Sequence, residues 1–189
     1  LFNITVGALI FICNLFISQH YGKGRYDDVE KDFYLGLKIV AALSIIFFIL
    51  SVSIPSQLVS IFIPGQEEAI NYGAQYLRIF GISFLFNGFS LIYYCFMKNT
   101  GLEKFATINS LITLGLLASL NALFIYGLKL NLTGLALSMV IARSIELILN
   151  VIFVQCKGKI KFIDGKFVNH CNLADAFKKI INEKLSGFL

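Results

Sequence analysis

Hydrophobic residues run along this chain in long blocks, and polar residues gather in the gaps between them. Residues 39–66, 79–97 and 105–128 contain no Asp, Glu, Lys or Arg. An uncharged apolar stretch of about 18 residues or more predicts a membrane-spanning helix. Period-2 alternation, the mark of a membrane β-barrel, is absent. Helices are the expected form, because lipid offers no partner to backbone N–H and C=O groups. Five spans are predicted, at about 1–18, 33–54, 76–97, 105–126 and 132–154. Each of the last four is long enough to cross roughly 30 Å of hydrocarbon at about 1.5 Å per residue. The first opens on Leu1 with no basic segment before it and no small-residue cleavage site after it. That is read as a helix cut at its start, not as a signal peptide. The expected fold class is an all-α membrane protein, a polytopic helical bundle over residues 1–155.

The polar gaps set an expected orientation. Loop 19–32 holds Lys23, Arg25 and Lys31, and loop 98–104 holds Lys98 and Lys104. The tail, 156–189, holds seven more lysines, so these three segments carry twelve of the 16 basic residues. The alternate loops, 55–75 and 127–131, hold only Lys129. Basic residues collect on the cytoplasmic side of membrane proteins, so the first set and the tail are predicted to be cytoplasmic. Tyr72, Tyr76 and Tyr126 fall at the outer boundary, where amphipathic rings favour the interface. In the tail, residues 159–168 alternate around Asp164-Gly165, a hairpin signal. Asn172 and Asp175 then stand where a capping box opens an amphipathic helix. That helix either lies on the inner leaflet or packs on the protein as a linker.

Composition agrees with this reading. The chain is 57% hydrophobic and 14% charged, with a mean hydropathy of +0.78. An average soluble domain is about 25% charged, so a soluble enzyme, a nucleic-acid binder and a disordered chain are poor readings. The net charge of +5 is a topology signal, not a nucleic-acid footprint.

Polar groups within spans are costly and mark cavities or partners. They include Asn14, Asn87, Ser90, Asn109, Thr113, Asn121, Ser138, Arg143, Glu146 and Asn150. Arg143 and Glu146 are three residues apart, on one helix face. They read either as a substrate or proton site or as a structural ion pair. Gly134, Ser138 and Ala142 form a small-xxx-small stripe suited to close helix packing. Cys156, His170 and Cys171 lack a fourth ligand and a zinc spacing, so no metal site is expected. There is no P-loop and no G-x-S-x-G. Neither enzymatic activity nor a cofactor is expected.

Several motifs resemble one family. The stretch 18–26, with Gln19, Gly22 and Gly24, resembles the Gln-x-x-Gly-x-Gly of the multidrug and toxin extrusion (MATE) family. Residues 58–64, ending at Pro64, and 72–79, with Tyr76-Leu77-Arg78, resemble its outer loop and the start of its fourth helix. Gly101 stands in its Gly-centred inner loop, and 133–143, with Gly134, resembles the start of its sixth helix. The resemblance covers about 1–156. It implies a secondary-active efflux antiporter that exports organic cations or other drug-like molecules across the plasma membrane in exchange for H+ or Na+. It also implies that this chain is helices two to six of the amino-terminal lobe. The first helix, which carries an acidic residue in the family, and the second lobe would then be missing partners. The family's polar positions on the fifth and sixth helices fall here on Leu117, Asn121 and Met139, the last beside Ser138. Leu and Met offer a hard cation no oxygen, so a sodium site of the family's kind is not expected in this lobe. Glu146 stays open as a proton carrier.

Two other readings stand beside this one. A flippase for lipid-linked oligosaccharides or lipids would belong to the same broad superfamily. A membrane scaffold, or the remnant of a broken gene, would transport nothing.

Overall fold

The structure is a computed structural model that describes residues 1–157, with side chains described to residue 155. The tail calls therefore lie outside the described residues: the hairpin around Asp164, the amphipathic helix after Asn172, and Cys156, His170 and Cys171.

Helix α1 covers Phe2–Gly22, α2 Tyr26–Ser53, α3 Pro55–Ser60, α4 Glu67–Asn99, α5 Glu103–Ala122 and α6 Asn131–Lys157. A π-helical turn, Leu123–Gly127, follows α5. All but α3 are long and apolar enough to cross a membrane, so the chain is a multi-pass, all-α membrane protein. The exposed surface agrees, with Phe11, Ile49, Leu111, Leu114 and Ile148 each more than half exposed.

The helices outrun the predicted spans. The supposed loop 19–32 is helical except for residues 23–25, and α4 begins nine residues before its predicted start, at Glu67. Hydropathy senses the hydrocarbon, whereas i→i−4 hydrogen bonding continues past it. Acidic residues favour these extensions by meeting the helix dipole: Asp27 and Asp28 open α2, and Glu67 and Glu68 open α4. Val29 and Phe33 in the first turns of α2 are fully buried, which anchors that extension by packing. At its far end α2 stops at Ser53, two residues before Pro55, because proline disfavours helix at the residue before it.

Two turns lie at the end of the bundle that carries Lys23, Arg25, Lys98 and Lys104. Both close on glycine. Gly24 and Gly101 take φ of 70° and 80°, and the following N–H groups reach back to His20 O and Met97 O at 3.0 Å each. This is the Schellman closure, which needs a left-handed residue after the helix. Tyr21 OH donates to Thr100 O at 3.0 Å and ties the two turns together.

α4 is the central helix and packs against the other five. Its buried residues include Ala74, Gly81, Ser83, Asn87, Gly88 and Ser90, small or polar types that let neighbours approach closely. The core divides in two. Ile17, Phe33, Phe96, Met97 and Val154 fill the basic end, and Phe2, Val6 and Val40 fill the middle of the α1–α2–α4 contact.

Candidate functional site

Polar side chains join the helices at matching heights. α1 and α4 run parallel in one register: Asn87 Nδ2 donates to Asn3 Oδ1 at 3.1 Å, and Asn99 Nδ2 donates to Asn14 Oδ1. These partners are 84 and 85 residues apart. α5 and α6 run antiparallel. Asn109 Nδ2 donates to Asn150 Oδ1 at 2.6 Å and to the Glu146 carbonyl at 3.1 Å. Asn150 Nδ2 reaches Ser90 O on α4 at 3.4 Å. About three helical turns further along, Ser138 Oγ donates to Asn121 Oδ1. Asn109, Ser138 and Asn150 are each 1% exposed or less, and buried amides and hydroxyls of this kind require such partners.

Arg143 Nη1 donates to Glu146 Oε2 at 2.7 Å. The two differ in setting: the Glu146 side chain is 12% exposed and that of Arg143 is 31% exposed. The backbone carbonyl of Glu146 accepts from Asn109 on α5. Arg143 instead joins Met139 on the wall of a cavity of about 740 Å3. This cavity lies between α1, α2, α3, α4 and α6, at the end away from Lys23 and Lys98. Its walls are mostly apolar, with Phe47, Phe62, Phe80 and Phe84 among them, and Asn3, Asn87 and Ser83 add polar points.

The other motif residues have structural roles or lie outside the cavity. Gly134 packs on the π-helical turn, and a β-carbon there would stand 3.0 Å from Phe124 Cβ. Tyr76 stacks on Phe80 at 5.3 Å between ring centroids. Gln19, Gly22 and Pro64 are exposed. Gly22 has open space where a β-carbon would go, and Gly24 carries the positive φ of that motif. Leu117 is half-buried on α5. Sequence reasoning missed one pair altogether. His20 Nδ1 meets Asp32 Oδ2 at 2.5 Å and links α1 to α2 at the basic end. Both lay in a segment read as loop. A helical pattern carried through 26–32 would have placed Asp32 on the α1 side, one turn from Val29.

These contacts supply hydrogen bonds and the Arg143–Glu146 ion pair within packed helices, next to an apolar cavity that presents a guanidinium. Among the described residues no group of three His, Cys, Asp or Glu converges as metal ligands would. This arrangement can bind and orient a molecule. A family model described as MatE matches residues 4–126, about two thirds of the chain. No curated protein and no solved structure matches the chain.

Proposed function

The chain belongs to the MatE family, whose members are transporters, and from that premise we propose that it forms part of a secondary-active multidrug efflux antiporter. The exported molecules are drug-like organic compounds, organic cations among them by the family resemblance, and the counter-ion is H+ or Na+. The protein sits in the plasma membrane with the Lys23 and Lys98 turns in the cytoplasm, as the excess of basic residues at that end favours. The helices work with a preceding helix and a second lobe of the same protein, and alternating access moves the cavity from one side to the other.

One observation carries this reading: the cavity of about 740 Å3. It falls within the roughly 300–1,000 Å3 of small-molecule sites, and such sites are mainly apolar with a few polar points. Dye efflux tests it in cells that express the full-length protein, with and without an uncoupler or a sodium gradient. Energy-dependent loss of dye is expected. Equal retention in expressing and empty cells would end the proposal. The second reading, a flippase for lipid-linked oligosaccharides or lipids, draws support from Arg143 on the cavity wall, because such substrates carry anionic groups.

A further inference from the structure

We propose that a phospholipid headgroup with a phosphate beside a primary ammonium, as in phosphatidylethanolamine, binds between α4 and α5 at the basic end of the bundle. Lys98 and Lys104 receive the phosphate, and Glu103 receives the ammonium. The site lies at the opposite end from the larger cavity and goes beyond the transporter reading.

A second cavity, of about 500 Å3, lies where α4 and α5 meet beside the Gly101 turn. Three charged side chains stand on its wall: Lys98 from the last turn of α4, and Glu103 and Lys104 from the first turn of α5. All three are exposed, and none is in a salt bridge with another described residue. Two cations and one carboxylate on a single wall match a ligand that is anionic at one point and cationic at the next. Lysine ammonium groups form charge-assisted hydrogen bonds with phosphate oxygens. An ionised carboxylate only accepts, and a primary ammonium offers it three donors. The trimethylated ammonium of a choline headgroup offers none. Thr107 Oγ1, also on the wall, already donates to the Glu103 carbonyl at 3.0 Å, so the two lysines are the charged donors left for a phosphate.

Depth points to a lipid and not to a soluble molecule. The span of α4 ends at Asn99 and that of α5 begins at Glu103, which sets the charged mouth at the membrane boundary. Tyr94 precedes Lys98 by one turn, and Ile108 follows Lys104 by one turn. Both line the same cavity, about 6 Å further into the hydrocarbon. The wall thus passes from charged to apolar in the direction in which a phospholipid passes from headgroup to acyl chain. The amphipathic ring of Tyr94 suits the zone between the two. Basic pockets between membrane helices hold lipid headgroups in this way.

The test uses the full-length protein, purified in detergent and offered equal amounts of phosphatidylethanolamine, phosphatidylcholine and phosphatidylglycerol with the same acyl chains. Native mass spectrometry reads the lipid that each sample retains. The parent should retain phosphatidylethanolamine severalfold above the other two. Glu103→Gln should abolish that preference, and Lys98→Gln combined with Lys104→Gln should lower retention of all three lipids. These side chains are exposed, so the variants should match the parent in unfolding temperature without lipid. A Glu103→Gln protein that keeps the preference, or a double lysine variant that retains lipid as the parent does, would overturn the proposal. Retention of phosphatidylglycerol above phosphatidylethanolamine by the parent would also overturn it, in favour of a site for anionic lipid. None of these outcomes bears on dye efflux, which tests the transporter reading separately.

Discussion

The hydroxyl of Ser44 occupies the place that a β-carbon on Gly88 would need, with Oγ 2.1 Å from that position. Ser51 stands to Gly81 in the same way, at 2.0 Å. The two pairs lie two turns apart on each helix, so they are successive rungs of one antiparallel seam between α2 and α4. Adding a methyl group to such a seam forces backbone or rotamer shifts that cost about 1–3 kcal/mol. Gly88→Ala should therefore lower the thermal unfolding temperature in detergent, and Ser44→Gly in the same chain should restore part of the loss. An unchanged unfolding temperature for Gly88→Ala would show that the helices part there at no cost.

The Asn109–Asn150 rung predicts an energetic coupling. Hydrogen bonds between membrane helices contribute about 0.6 kcal/mol on average and up to about 1.7. Asn109→Leu should destabilise the bundle by about 1 kcal/mol, since Asn109 also holds the Glu146 carbonyl. The double variant with Asn150→Leu should cost less than the sum of the two singles. Strict additivity in a denaturation series would show that the two amides do not depend on one another.

Asn121 separates transport from packing. If the site it shares with Ser138 opens to the pathway during the transport cycle, Asn121→Leu in the full-length protein should cut efflux several-fold at unchanged membrane abundance. Unaltered efflux would assign the pair to the α5–α6 contact alone.

The glycines at the two turns of the basic end should behave differently from one another. Gly24→Ala and Gly101→Ala place a β-carbon in left-handed backbone, at a cost of about 1 kcal/mol each. Gly22→Ala lies in helix with open space around it, and should be neutral or slightly stabilising because alanine favours helix. Unfolding temperatures of the three variants read this directly. An equal loss for all three would point to a need for Gly22 that its backbone does not explain.

The count of spanning helices was legible because hydrocarbon imposes a length and a composition on every span, whereas the short α3 lay in a segment read as loop. The helix ends were less so. Glu67 and Asp28 look like loop residues by hydropathy, yet they suit the first turn of a helix. The Arg143–Glu146 pair could be read from a spacing of three, since both partners share one helix. The partners of Asn109, Asn121 and Asn87 could not. They depend on how two helices are set against each other, and neither period nor composition records that offset. The cavity was hidden for the same reason, since five elements far apart in the chain enclose it.

The seam between α2 and α4 also bears on how this protein can vary. Where Ile49, Leu111 and Leu114 meet the outside, the surroundings discriminate by polarity and are nearly indifferent to volume. At Gly81 and Gly88 the order reverses: a hydroxyl is accommodated across the gap, and a single methyl group fits only if Ser51 or Ser44 shifts. Two alphabets are therefore superimposed on one chain, one written in transfer energy and the other in cubic ångströms. A drift of Leu to Phe on the rim would pass unnoticed, while the milder exchange of Gly for Ala on the axis would not.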